Sequence, residues 1–195
     1  MYSKFIKRIL DIIVSLLLLP AIFLIGIVIA ILIFFTDFHG VFYNSARLGK
    51  DGKNFKMYKF RTMKINAEDL RNEDGSTFNS VNDPRLTKIG KTIRKLSLDE
   101  LPQIINVLKG DMSFVGPRPD LPEHINLYNG EEKKKLTVLP GITGYNQAYF
   151  RNSIEWKERL KNDVYYAENI SCILDAKIVL RTIKTVLKRD GVFNE

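Results

Sequence analysis

Cysteine and histidine are scarce in this chain of 195 residues, which has one cysteine and two histidines. The single cysteine, Cys172, excludes a disulfide within the chain, and so few sulfur and imidazole ligands argue against a zinc site. The sequence also has no glycine-rich phosphate loop, no nucleophile elbow and no dinucleotide fingerprint. These absences argue against kinases, serine hydrolases and oxidoreductases.

Charged residues are missing altogether from Ile12 to Phe35. This run is longer than the roughly 20 residues that cross a membrane, and no signal cleavage site follows it. Pro20 lies inside the run and removes a helical hydrogen bond, so we expect the helix to bend or break there. Basic residues flank both ends, and the positive-inside rule places both flanks on the cytoplasmic side. A re-entrant helix over residues 1–38 and an ordinary spanning helix both remain open at this point.

Positive charge predominates in the chain, with 30 Lys and Arg against 22 Asp and Glu and a net charge of +8. Such a balance favours anionic partners, whether phosphates, nucleic acid or the cytoplasmic leaflet. A membrane-tethered protein that binds nucleic acid or anionic lipid is therefore one hypothesis. Residues 39–195 show no internal repeat and are interpreted as one domain.

Alternating apolar and cationic residues from Lys53 to Met63 predict a short strand or hairpin with one basic face. Lys59 and Arg61 lie on that face. The preceding segment, residues 37–52, is rich in turn residues, and the polar segment 66–83 is typical of a mobile loop that could act as a lid.

Helical spacing predicts helices over Thr87–Lys95 and Leu98–Leu108. Ser97 is a candidate N-cap, because Glu100 follows three residues later in a capping-box pattern, and Gly110 can end the second helix. Residues 115–119 and 140–144 are predicted to be rigid turns because they are rich in proline and glycine.

The stretch from Ile173 to Lys188 predicts an amphipathic helix with apolar residues largely on one side and basic residues on the other. It could lie at a membrane surface or pack on the domain core. Taken together, the elements predict an α+β fold that is mostly helical.

Two adjacent carboxylates, Asp99 and Glu100, begin the second predicted helix. Acidic residues in a first turn are often only capping charges that complement the helix dipole. A carboxylate kept ionised near phosphates can also act as a nucleophile or hold Mg²⁺. Both interpretations are open from these two residues alone.

Arginines near rigid turns and helix ends favour the second interpretation. Arg118 stands between Pro117 and Pro119, which fix its backbone, and its planar fork suits bidentate phosphate binding. Arg94 and Arg151 also lie close to predicted helix ends or rigid turns. Lys133, Lys134 and Lys135, by contrast, fit solvated surface charges. Asp163 could orient an arginine or a metal. Tyr165 and Tyr166 could line a sugar or uracil pocket, lie at the membrane surface, or pack in the core.

Six ordered motifs, together with the proline-interrupted helix, resemble one known family. The motifs are Tyr58–Met63, Arg94–Gln103, Asn106–Ser113, Val115–Pro119, Pro140–Gly144 and Asp163–Tyr166. The family is the small monotopic bacterial phosphoglycosyl transferases, which start glycoconjugate assembly on polyprenol phosphate. The resemblance extends from Tyr2 to Val192.

This resemblance implies a two-step reaction. Asp99 would attack the β-phosphate of a UDP-sugar and release UMP, and the phospho-sugar on Asp99 would then pass to polyprenol phosphate. Glu100 would bind Mg²⁺. Phosphate-binding residues would be Lys59, Arg61, Arg94, Arg118 and Arg151, with Pro119, Gln147, Asp163 and Tyr165 in support.

The resemblance also implies a re-entrant helix broken at Pro20, with the catalytic domain on the cytosolic face of the bacterial inner membrane. Partners would be a UDP-sugar, polyprenol phosphate and the cytoplasmic leaflet, not nucleic acid, and a homodimer is left open. Two departures are visible. Leu19 precedes Pro20 where family members often have serine, and residues 144–151 are bulkier and more aromatic than usual. The sugar specificity is therefore expected to differ if this segment contacts the sugar.

Overall fold

Helices dominate the computed structural model, which describes residues 2–70, 78, 80, 83–150 and 154–188. A π-helical turn, Tyr2–Ile6, leads into the first helix, and 3₁₀ turns connect several of the later elements. The α-helices are α1 (Lys7–Asp37), α2 (Lys88–Lys95), α3 (Ile104–Lys109), α4 (Tyr145–Tyr149), α5 (Trp156–Glu168) and α6 (Cys172–Lys188). Together with small sheets they confirm the predicted α+β fold. The predicted boundary near residue 38 agrees with the end of α1 at Asp37, but the division into domains stays a prediction.

A β-hairpin follows the first helix. Strands β1 (Phe42–Leu48) and β2 (Asn54–Phe60) pair antiparallel, from Phe42 opposite Phe60 to Leu48 opposite Asn54. The predicted hairpin is confirmed, but β1 falls in the segment predicted as turn-rich. Its own sequence alternates weakly, and the ladder of hydrogen bonds with β2 is what keeps it extended.

A second pair of strands, β3 (Ser113–Val115) and β4 (Gly141–Thr143), is parallel. The prediction of a rigid turn over residues 140–144 is therefore wrong for its middle part, which is a strand. The two backbones approach too closely for a side chain. A Cβ on Gly116 would lie 2.4 Å from the Leu139 carbonyl oxygen, and one on Gly141 would lie 2.1 Å from the Gly116 nitrogen. Glycine is required at both positions for this contact.

The predicted helix at 87–95 is confirmed as α2. The Thr87 hydroxyl accepts a hydrogen bond from the Gly90 amide at 2.8 Å and so caps its first turn. Ile93 is buried, and Ile89 packs against the same apolar cluster. The next predicted helix begins as a 3₁₀ turn, Leu98–Gln103, continues as α3 and ends at Gly110, whose φ is 89°. The predicted glycine termination is thus confirmed.

Helix α1 is continuous through Pro20, so the predicted break is not confirmed. Both of its ends contact the rest of the chain. Near its start the Arg8 guanidinium donates to the Leu108 carbonyl at 2.8 Å, and near its end Asp37 pairs with Arg61 at 2.6 Å. Ile33 packs in a buried cluster with Phe60 and Ile93, among other residues. The helix therefore lies along the domain rather than projecting from it.

The outward face of α1 is apolar and exposed. Phe23 and Leu24 are 65% and 66% exposed, although water is a poor environment for such side chains. By length and composition α1 is the one helix among the described residues that could cross a membrane. Its exposed face fits association with a membrane.

Helix α6 begins one residue before its predicted start. Ile178 is fully buried in a cluster with Val115 and Tyr166, which confirms packing on the core. On another face Ile173 and Leu180 are 70% and 68% exposed. The apolar residues of α6 therefore do not all lie on one side as predicted. Some of them pack in the core, and others are exposed at the surface. Contact of the exposed part with a membrane stays a prediction.

Candidate functional site

A cavity of approximately 460 Å³ lies between α1 on one side and α4, α5 and α6 on the other. Leu18 and Ile22 of α1 form an apolar part of its wall. Residues that are far apart in the sequence meet at this cavity. The predicted site residues that line it are Lys59, Arg94, Asp99, Glu100, Arg118, Gln147 and Asp163.

The 3₁₀ turn Leu98–Gln103 presents the two adjacent carboxylates to this cavity. Asp99 is 7% exposed, and the Glu100 side chain is 17% exposed. The predicted capping box is wrong, because Ser97 has a left-handed backbone with φ 56° and its side chain makes no capping hydrogen bond to the described turn. An N-cap side chain needs an extended backbone to reach the first amides. The two carboxylates are therefore not part of a capping box with Ser97.

Lys59 is the cation closest to the carboxylate pair. Strand β2 places its Nζ atom 2.7 Å from Oε1 of Glu100 and 3.9 Å from Oδ2 of Asp99. Arg118 approaches the same Glu100 oxygen, with Nη2 at 3.3 Å. Glu100 is thus paired with two cations, whereas the ion pair that the described residues give Asp99 is the longer one with Lys59.

The two carboxylates differ in their affinity for a proton. Burial raises the pKa of Asp99 above its ordinary value; Lys59 opposes this rise and Glu100 adds to it. Burial also acts to raise the pKa of Glu100, but Lys59 and Arg118 outweigh it and lower the pKa to about 2. The surroundings therefore favour the ionised form of Glu100, whereas Asp99 holds a proton more readily than an ordinary aspartate.

Arg94 lines the same cavity as the two carboxylates, and one nitrogen of its guanidinium makes no hydrogen bond to a described residue. Its Nη1 atom is buried and, among the described residues, has no hydrogen-bond partner. Burial lowers the pKa of Arg94, although Asp99 and Asp83 counteract this, and an arginine remains charged. A buried donor without a partner costs free energy, so an anion in the cavity would stabilise this arrangement.

Arg118 is positioned by a buried ion network that follows it in sequence. The Nζ atom of Lys135 lies 2.7 Å from Asp120 and 2.7 Å from Asp163, and the Tyr128 hydroxyl also donates to Asp120. Lys135 Nζ also lies 3.4 Å from the Arg118 carbonyl oxygen. The prediction that Lys135 is a solvated charge is wrong, since its side chain is 4% exposed. Among the described residues Asp163 is paired with Lys135, and its predicted role towards an arginine or a metal stays a prediction.

Several predicted site residues lie elsewhere or cannot be placed. Arg61 pairs with Asp37 at the end of α1 through two hydrogen bonds of 2.7 and 2.6 Å and does not line the cavity. Tyr165 is 49% exposed with its ring against Tyr145, while Tyr166 is buried in the core. Pro119 adjoins Arg118 and is partly buried.

Two further predictions concern residues outside the described part of the chain. Arg151 lies there, so its predicted contact with phosphate stays a prediction. Most of the segment 66–83, predicted as a mobile loop, lies there too, and its role as a lid stays a prediction.

The oxygen ligands at the site fit a magnesium ion that arrives with its substrate. Asp99 and Glu100 are hard oxygen donors beside cations suited to phosphate, and Mg²⁺ is usually held by one or two carboxylates plus substrate phosphates. The described ranges contain no group of three or more His, Cys, Asp and Glu side chains that could hold a metal by themselves.

The profile of one protein family, described as bacterial sugar transferase, matches residues 2–189. The chain belongs to this family. This bacterial sugar transferase is 46% identical to an uncharacterized sugar transferase, EpsL, of Bacillus subtilis, over 78% of the chain and 72% of that relative.

Two longer relatives have names that state a sugar. The chain is 39% identical to the UDP-galactose-lipid carrier transferase of Erwinia amylovora, over 98% of the chain and 42% of that protein. It is 38% identical to the UDP-N-acetylgalactosamine-undecaprenyl-phosphate N-acetylgalactosaminephosphotransferase of Aeromonas hydrophila, over 96% of the chain and 45% of that protein. The chain spans less than half the length of these two relatives.

The cavity residues that the sequence analysis missed include Lys135, Asn146 and Trp156. Lys135 is one of three consecutive lysines, so nothing in its local sequence distinguishes it. Trp156 is the single tryptophan of the chain, and this could have indicated it as a candidate site residue. Asn146 is preceded by a predicted turn, and its buried contacts come from α5.

Proposed function

We propose that this protein transfers a sugar-1-phosphate from a UDP-sugar to polyprenol phosphate at the cytosolic face of the bacterial inner membrane. The observation that carries the proposal is one cavity that combines the Asp99–Glu100 pair, three phosphate-suited cations and an apolar wall from α1. A charged diphosphate and a membrane lipid need both kinds of surface. The names of the relatives support the same donor and acceptor classes.

In the first step, a carboxylate oxygen of Asp99 attacks the β-phosphorus of the UDP-sugar. A new bond forms between this oxygen and phosphorus, the bond from phosphorus to the bridging oxygen breaks, and UMP leaves with that electron pair. The raised pKa of Asp99 supports its role as nucleophile. No proton has to move, because the leaving UMP is a stable anion.

In the second step, a phosphate oxygen of the lipid attacks the same phosphorus. The bond to Asp99 breaks, which regenerates the carboxylate and yields a lipid diphospho-sugar. Arg94 and Arg118 would hold the phosphates, and Lys59 would reduce the repulsion between Asp99 and the incoming anion. Two displacements at one carboxylate need no general acid or base.

Mg²⁺ would be held by Glu100 together with the substrate phosphates. When bound, it neutralises charge on the diphosphate and on the leaving group. Glu100 is suited to this role because its pKa of about 2 keeps it ionised.

A re-entrant arrangement of α1 completes the proposal. If α1 crossed the bilayer, its ends would lie on opposite sides of roughly 30 Å of hydrocarbon. Instead Arg8 and Asp37, near its two ends, both bond to the same domain. The exposed apolar face would then lie in one leaflet, and Pro20 would facilitate a bend.

Release of UMP tests the reaction. The purified protein would be incubated with polyprenol phosphate, Mg²⁺ and a panel of UDP-sugars. Asp99→Asn should abolish UMP release and also labelling of the protein by a ³²P-labelled β-phosphate. Asp51→Asn is the matched control, since Asp51 is exposed and lies in an exposed turn. Near-normal turnover of Asp99→Asn would rule out Asp99 as the nucleophile.

A further inference from the structure

Two side chains that line the cavity, one on α4 and one at the start of α5, carry polar atoms that make no hydrogen bond within the described part of the chain. Both amide atoms of Gln147, Oε1 and Nε2, are buried and unpaired with any described residue. The same is true of the indole nitrogen of Trp156. Both side chains line the cavity. Because buried polar groups are nearly always hydrogen-bonded, three such atoms on two side chains of one cavity favour a polar ligand that bonds to them.

These two side chains stand on a rigid support. Behind Gln147, the Asn146 amide donates to Asp163 Oδ1 at 2.8 Å and to the Arg159 carbonyl at 2.9 Å. The Trp156 ring lies against His124, with ring centres 5.1 Å apart, and against Tyr128 at 6.1 Å. A supported wall can present its polar atoms in a fixed arrangement, which selective recognition needs.

The chemistry of the proposed reaction indicates which part of the substrate meets this wall. In each displacement the attacking and leaving oxygens are roughly in line. UMP and the lipid phosphate therefore occupy, in turn, the position opposite the Asp99 oxygen. That position has to open towards α1, with Leu18 and Ile22, because the lipid keeps its hydrocarbon in the membrane. The sugar stays bonded to phosphorus through both steps. We therefore expect it to lie in the part of the cavity lined by Gln147 and Trp156.

We infer that Gln147 and Trp156 form the subsite that recognises the sugar of the donor, an inference that rests on the proposed function. The subsite offers one acceptor, Gln147 Oε1, and two donors, Gln147 Nε2 and Trp156 Nε1. Sugar hydroxyls can satisfy all three because each hydroxyl both donates and accepts.

Donor selectivity measured beside UMP inhibition tests this inference. The variants are Gln147→Leu and Trp156→Phe, which keep approximate shape but remove the polar atoms. UMP release would be measured with UDP-galactose, UDP-glucose and UDP-N-acetylgalactosamine, and UMP would be tested as an inhibitor of each variant. Lys161→Met is the control, because Lys161 is on the same helix as Trp156 but its side chain is 74% exposed.

The expected result is a change of about tenfold or more in the ratio of kcat/KM between the best donor and the others, with an unchanged inhibition constant for UMP. An equal loss for all donors together with weaker UMP inhibition would overturn the inference, because the subsite would then bind uracil. Unchanged ratios in both folded variants would overturn it as well.

Two controls keep the outcome interpretable. Thermal midpoints in detergent identify a variant that fails to fold, and Gln147→Glu and Trp156→Tyr then replace it. If the wild type releases no UMP from any donor, the proposed function fails. The sugar subsite would then be judged by calorimetric binding of the three UDP-sugars to wild type and variants, where equal affinities throughout would overturn it.

Discussion

The ammonium group of Lys135 lies 2.7 Å from Oδ2 of Asp163, and both side chains are almost completely buried, at 4% and 5% exposure. Lys135 is equally close to Asp120, two residues after Arg118. One cation thus connects helix α5 to the segment that carries Arg118, the arginine that we propose binds phosphate. A buried cation between two carboxylates is costly to remove, because each carboxylate would be left without its partner.

Lys135→Met should therefore destabilise the protein strongly. Breaking a buried ion pair from one side costs about 3–5 kcal/mol, and Lys133→Met, an exposed lysine two residues earlier, should cost little. Adding Asp163→Asn to Lys135→Met should restore part of the loss, since one unpaired carboxylate is removed. Thermal midpoints in detergent would measure all three variants. Equal midpoints for the Lys133 and Lys135 variants would contradict the buried network.

The pH dependence of the reaction should report the environment of Asp99. Burial raises its pKa, and the nucleophile has to be ionised, so activity should fall on acidification at a higher pH than for an ordinary aspartate near about 3.9. Glu100 stays ionised through this range, since its pKa is about 2. A profile of UMP release against pH would measure the acid limb.

Lys59 should set the position of that limb. Its positive charge lowers the pKa of Asp99, so Lys59→Met should shift the acid limb to higher pH in addition to reducing the rate. Lys56→Met, at an exposed position of the same strand, should leave the limb in place. An acid limb that does not move in Lys59→Met would show that Asp99 does not control it.

Cysteine labelling should place the two ends of α1 on one side of the membrane. The native Cys172 is exposed and would first be replaced in Cys172→Ala. Lys4→Cys and Lys50→Cys in that background should then both react with an impermeant maleimide only after inverted vesicles are used or cells are opened. Labelling of one from outside intact cells and of the other from inside would establish a spanning helix.

Close contact between the two short parallel strands should make Gly116 intolerant of a side chain. A Cβ there would lie 2.4 Å from the Leu139 carbonyl oxygen and 2.8 Å from the Gly141 nitrogen, both of them backbone atoms that cannot rotate away. Gly116→Ala should therefore lower the yield of folded protein sharply. Gly130→Ala should be neutral, because open space surrounds that position. Comparable yields and thermal midpoints for the two variants would be inconsistent with the strand contact.

Local features of the sequence determined much of the scaffold. The helical spacing of residues 87–95 and 173–188 and the glycine at position 110 depend only on neighbouring residues, and the structure confirms the helices and the helix end that they predict. The carboxylate pair and Arg118 were also predicted in this way. The order of the six motifs and an arginine between two prolines can be recognised from the sequence before the fold is known. These features result from interactions between residues that are close in the sequence, so they can be predicted from the sequence alone.

Contacts between distant segments were decided only by the tertiary structure. Lys135 cannot be told from Lys133 in the sequence, yet Asp120 and Asp163 bury one and leave the other in water. Arg61 shares a strand pattern with Lys59, but it binds Asp37 while Lys59 binds Glu100. Ser97 fits a capping pattern that its left-handed backbone prevents. Charged side chains take whichever opposite charge the fold places within a few ångströms, and such pairings across tens of residues leave no local signal.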